Sequence, residues 1–155
     1  MVDGLAAIGA NELAVFFSHG ITVLDHHLMV KSRLASAMLP ARVLLLRPGR
    51  VPPLKVVPDA GPRDDAAALF GAIPICSTSR HLWCKTEDGS TVVVLDKELR
   101  RTYQFAVRGG ELLSIAPMGG DDISVAVRLG GSRVWRAVIA CGTWRVRHSS
   151  ISRVQ

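Results

Sequence analysis

The feature that most constrains this chain is its punctuation after residue 73, where short segments rich in Val, Leu, Ile and Thr alternate with glycine turns. Segments 81–86, 90–95, 102–107, 112–115, 123–128, 133–139 and 143–147 are separated by Asp88-Gly89, Gly109-Gly110, Met118-Gly119-Gly120-Asp121, Gly130-Gly131 and Cys141-Gly142. Such segments, at a spacing of roughly ten residues, are too short for helices and carry the positive-φ residues that tight turns need. They predict an all-β chain, mainly an antiparallel meander of short strands, forming propeller-like blades or a compact β domain with at most one or two short helices.

The earlier part of the chain reads the same way with more interruption. Segments 13–17 and 21–24 flank Ser18-His19-Gly20 as a hairpin. Segment 28–31 continues the sheet, 42–46 adds a strand, and 32–39 is a candidate short helix. Six of the eight prolines stand at 40, 48, 52, 53, 58 and 62. Proline lacks the ladder donor, so 48–65 reads as an exposed loop or insertion in which only 54–57 pairs, at an edge. Asp64 or Asp65 then caps a short helix over 66–70, ended by Gly71. Length favours one core for residues 1–155.

Ser18-His19-Gly20-Ile21-Thr22-Val23-Leu24-Asp25-His26-His27-Leu28 aligns with Glu87-Asp88-Gly89-Ser90-Thr91-Val92-Val93-Val94-Leu95-Asp96-Lys97-Glu98-Leu99, and the copy's two extra residues keep every side chain on its face. A third turn, Gly130-Gly131-Ser132, continued by Arg133-Val134-Trp135-Arg136-Ala137, follows Gly89 by about 40 residues, a blade-like repeat length. On these residues, mainly over 73–140, the chain resembles the blades of WD40-like β-propellers, the WD repeat proteins. The resemblance implies a scaffold or protein-binding role as a complex subunit. There is no Trp-Asp dipeptide, and at about 40 residues per blade the chain holds three or four blades, so either another chain or self-association completes the ring or the chain is a smaller β domain. Phe17 to Leu24 and Arg101 to Phe105 resemble, as a runner-up, strands of a polo-box-like targeting or docking domain.

Charge locates the candidate interface. Residues 1–99 carry ten Lys+Arg against ten Asp+Glu, whereas 100–155 carry nine Arg against three acids, so the net charge of +6 lies in the last third. Arg133, Arg136, Arg145 and Arg147 are therefore the expected partner-binding residues, for an acidic protein or, alternatively, nucleic acid. Period two places Arg145 and Arg147 on one face and Trp144 and Val146 on the other. That separation argues against an aromatic stacking platform built from Trp83, Trp135, Trp144, Tyr103 and Phe105. No apolar run approaches the length of a membrane span. Three cysteines without framework spacing fit a reducing, intracellular compartment, cytoplasm or nucleus.

Chemistry is weighed on four constellations. Cys76, His81 and Cys84, with Cys141 and His148 further on, are weak zinc candidates because the spacing is irregular; no metal or cofactor is expected. Asp25 beside His26-His27 is read as a turn, and no nucleophile motif accompanies it. Asp121-Asp122 and Asp64-Asp65 are read as solvated turns, and Asp96 as a strand-end acid. The chain is expected to be a non-enzymatic interaction module.

Overall fold

The computed structural model describes residues 2–17, 20–35, 42–58, 73–85, 91–98 and 102–153. All regular structure among them is β. The N-terminal sheet is a four-stranded antiparallel meander, β1 (Val2–Ile8), β2 (Glu12–Phe17), β3 (Gly20–Leu24) and β4 (Val30–Ala35). A second meander, β7 (Ile73–Ser77), β8 (His81–Lys85), β9 (Val92–Asp96) and β10 (Thr102–Val107), is widened at β10 by β5 (Arg42–Leu46) and β6 (Leu54–Pro58) into a six-stranded central sheet. The third, β11 (Glu111–Gly119), β12 (Asp122–Leu129), β13 (Arg133–Ala140) and β14 (Arg145–Arg153), forms the C-terminal sheet. Every ladder is antiparallel except β5 with β10, where Val43 to Leu46 run parallel to Gln104 to Val107.

Strand parity turns these sheets into layers. On β8, Leu82 and Cys84 face one side and Trp83 the other, and the central sheet is apolar on both faces. Leu82, Cys84, Val93 and Leu95 pack on Ile8, Ala14, Phe16, Ile21 and Val23 of the N-terminal sheet. Trp83, Val94, Tyr103, Phe105, Leu44, Leu46 and Leu54 pack on Ile123, Val125, Val127, Trp135, Ala137 and Ile139 of the C-terminal sheet. Fully burying a side chain such as Leu82 or Ile123 stabilises the fold by about 1.5–3 kcal/mol. The aligned repeat falls on the second and third strands of each meander, β2–β3, β8–β9 and β12–β13, the hairpins that supply most of these core residues.

The first strands of the meanders lie side by side, β1 next to β7 and β7 next to β11. Gly4 permits the first approach: a Cβ there would sit 2.9 Å from Pro74 Cδ, inside contact distance. The Ser77 hydroxyl donates to the Ala7 carbonyl across the same junction. Glu12 Oε1 lies 3.3 Å from both Lys31 Nζ and Lys97 Nζ, tying the N-terminal sheet to the β9–β10 turn.

Several expectations are corrected. β1 is a strand that sequence reading passed over. β4 starts at Val30, because Leu28 sits in the preceding turn with φ of 62°. Residues 32–35, assigned to a short helix, belong to that strand, and 36–39 lie outside the described residues. β11 and β14 run well past 112–115 and 143–147. Edge pairing at 54–57 holds, as β6 is the outermost strand of the central sheet. The 66–70 helix and Asp64-Asp65 fall outside the described residues. Among the described residues no helix is long and apolar enough to cross a membrane.

Candidate functional site

Three turns meet at one end of the sheets. The β7–β8 turn begins at Thr78, which is buried, and the β11–β12 turn runs through Gly119 and Gly120, both at positive φ. That conformation, easy only for glycine, presents the Gly120 carbonyl to Ser79 N at 2.9 Å. Beside it Asp121 accepts from His81 Nδ1 at 2.9 and 3.1 Å and from the Thr78 hydroxyl. Thr78 Oγ1 in turn accepts from His81 N at 3.1 Å. A carboxylate only accepts, so Nδ1 of His81 carries the proton.

Trp144, in the β13–β14 turn, closes the cluster. Its φ of 53° is unusual for a bulky residue and costs on the order of 1–3 kcal/mol. In that conformation the indole stands edge-on to His81 at 5.1 Å, to Tyr103 at 5.2 Å and to Trp83 at 6.2 Å. The chemistry available is limited by the order of the bonds. In a hydrolytic triad the imidazole stands between carboxylate and hydroxyl. Here Asp121 stands between His81 and Thr78, so the imidazole does not activate the hydroxyl. The arrangement clasps the central sheet to the C-terminal sheet.

The sequence-derived metal candidates are dispersed. Cys84 lies on the opposite face of β8 from Trp83, with its thiol 3.5 Å from the Val93 carbonyl. Cys76 sits opposite Trp83 next to a register shift in β7 and joins the other core layer with Cys141. His81 is only 12% exposed and is held by Asp121. His148 is exposed on β14. Among the described residues no three His, Cys, Asp or Glu side chains are grouped to hold a metal. Burial pushes the Cys84 thiol up to about 12 and raises those of Cys76 and, with help from the Asp121 charge, Cys141. Such thiols stay protonated and unreactive near neutrality.

The other acids divide. Asp25 is a turn acid as expected: its Oδ1 accepts from His27 N and Met29 N at 2.9 and 3.0 Å, and the Met29 bond first of all lowers its pKa below the ordinary 3.8. Asp121 departs from the solvated-turn reading, since it is taken up by the clasp. Asp96 ends β9.

The four predicted partner-binding arginines all reach the C-terminal sheet, on β13 and β14, and all are exposed. The parity expectation holds: Trp144 and Val146 pack against the core while Arg145 and Arg147 face out. Arg147 Nε lies 3.5 Å from Asp122 Oδ2, Arg136 Nη1 donates to Ser152 Oγ at 2.7 Å, and Arg133 Nε donates to the Gly130 carbonyl at 2.9 Å. The aromatic residues interleaved with them in sequence are in the core, with Trp83, Trp135, Tyr103 and Phe105 buried.

No protein-family model and no curated protein matches this chain. The site therefore stands on its geometry. Thr78 was the residue that sequence reading missed; the signal for it, a hydroxyl three positions before His81 in a strand turn, gains meaning only when the β11–β12 turn arrives beside it.

Proposed function

We propose that this chain is a non-enzymatic protein-interaction or scaffold module, part of a larger assembly, whose three meanders stand as blades similar to those of WD40-like propellers. The observation that carries this reading is the stacking order. Three four-stranded meanders follow one another with their first strands adjacent, and the two outer sheets each keep one broad face without a covering layer among the described residues. On the N-terminal sheet that open side includes Leu5, 59% exposed. Blades of a propeller are arranged in this order, and a terminal blade lacking its neighbour is an interaction surface.

The protonated thiols and the occupied clasp support a non-catalytic role. A polo-box-like domain has a helix lying across its sheet, and no helix occurs among the described residues, which favours the blade reading. The nucleic-acid alternative draws on the same arginines but lacks, among the described residues, the exposed aromatic rings on which single strands stack; strongly salt-dependent oligonucleotide binding would be its signature.

Light scattering on the eluting protein, paired with a thermal melt, tests the assembly. Expected is a mass at least twice 16.7 kDa, or solubility only on co-expression with a partner. A monomer at every concentration with one cooperative transition would overturn the reading.

A further inference from the structure

β14 is the outer edge of the C-terminal sheet: among the described residues it pairs with β13 alone, and all of its nine residues except Val146 are exposed. An edge strand presents unpaired N–H and C=O groups to any extended chain. This one is also charged on one pattern. Arg145 and His148 lie on the open face of the sheet, and a register shift in the β13–β14 ladder accommodates Arg147, which reaches Asp122 on that side. Val146 and Ile151 lie on the opposite side, Ile151 being 54% exposed.

The balance of charge at this edge is unfavourable as it stands. Among the described residues the ion pairs of this sheet are Arg147 with Asp122 and Arg128 with Glu111, which leaves Arg136 and Arg145, both on the open face, without an acid. A nucleic acid would satisfy the charges but has no backbone amides for the strand edge. An acidic peptide satisfies both.

We propose that the free edge of β14 takes an extended acidic segment of a partner protein as a fifth strand of the C-terminal sheet. Its carboxylates alternate with apolar residues, the acids toward Arg145, Arg147 and His148 and the apolar side chains toward Val146 and Ile151. Main-chain hydrogen bonds hold the segment, and alternate side chains select it. This rests on the interaction-module reading and names the partner's chemistry.

The experiment measures fluorescence anisotropy of the full chain with a labelled short peptide alternating Glu and Val. The comparison probes are a Lys-Val peptide, the Glu-Val peptide N-methylated at alternate positions, and a short oligothymidylate. Expected is saturable binding of the Glu-Val peptide, about tenfold or more weakened in R145E/R147E. N-methylation, which keeps every charge and removes ladder donors, weakens it about tenfold. Equal affinity for the N-methylated peptide, tighter binding of the oligothymidylate, or no response to charge reversal in a variant with an unchanged circular dichroism spectrum would overturn the proposal. The N-methyl comparison uses the unaltered chain, so it decides even where the double variant fails to fold. The mass of the isolated chain tests the assembly separately, whichever way the peptide behaves.

Discussion

The two layers on either side of the central sheet are built from the same type of meander but held by different physics. Between the N-terminal and central sheets the contact is aliphatic apart from Phe16 and Cys84. It is stabilised by burial that has no directional preference, and its polar ties are the Glu12–Lys97 pair at 3.3 Å and the Ser77 hydroxyl on the Ala7 carbonyl. Between the central and C-terminal sheets Trp83, Phe105, Tyr103, Trp135 and Trp144 dominate, with rings edge-on at 5.1 Å for Trp83–Phe105 and 5.2 Å for Tyr103–Trp144. Edge-on aromatic pairs add about 0.5–1.5 kcal/mol beyond their area and fix orientation, and the Thr78–His81–Asp121 clasp fixes it further. One layer sets distance; the other sets distance and angle.

Truncation should separate them most. Trp83→Ala is expected to lose about 3–5 kcal/mol, read by urea unfolding, and to exceed Phe16→Ala, because several ring contacts leave with the indole. Equal losses would break the distinction. Trp83→Phe should cost much less, since the buried indole N–H has no hydrogen-bond partner among the described residues.

Removing the clasp comes next. Thr78→Val takes one donor from Asp121 and the acceptor from His81 N, an expected loss of about 1–3 kcal/mol. If the clasp sets the angle, the Trp144 near-ultraviolet circular dichroism should change in the same variant; an unaltered spectrum would reduce it to an ordinary turn contact.

Alkaline pH probes the aliphatic layer through Cys84. Its folded pKa, about 12, lies above the ordinary thiol value of 9.0, so its contribution is full below 9 and is lost as pH rises towards 12. The slope reaches about 1.4 kcal/mol per pH unit for one thiol. Cys84→Ala should flatten the fall in melting temperature above pH 9, and an identical slope would show that the thiol does not ionise on unfolding. Smallest is Glu12→Gln: the pair is partly exposed, so less than about 1 kcal/mol is expected at low salt, vanishing at high salt.

The legible and illegible parts of the fold divide by range. Strands β8 to β13 could be found because each carries its own pattern and ends at its own turn. β1, with the sequence Val-Asp-Gly-Leu-Ala-Ala-Ile, has few β-branched residues and becomes a strand through pairing with β2 and the approach of Pro74 to Gly4. The outward direction of Arg145 and Arg147 was readable because alternation is a local property. The partners of His81 were not, since Asp121 reaches it only when two turns from different sheets meet.

The parallel pairing of β5 with β10 has a consequence for how the chain is made. Synthesis delivers β5 and β6 first, and the strand that receives them, Thr102–Val107, is still to be translated along with the rest of the second meander. Leu44, Leu46 and Leu54, all buried in the finished molecule, must wait in the nascent chain without a layer to cover them. Prolines at 48, 52, 53 and 58 and the cations Arg47, Arg50 and Lys55 surround that waiting segment, and residues of these kinds discourage edge-to-edge association. The proline-rich stretch thus guards a hairpin that has arrived before its place in the sheet exists.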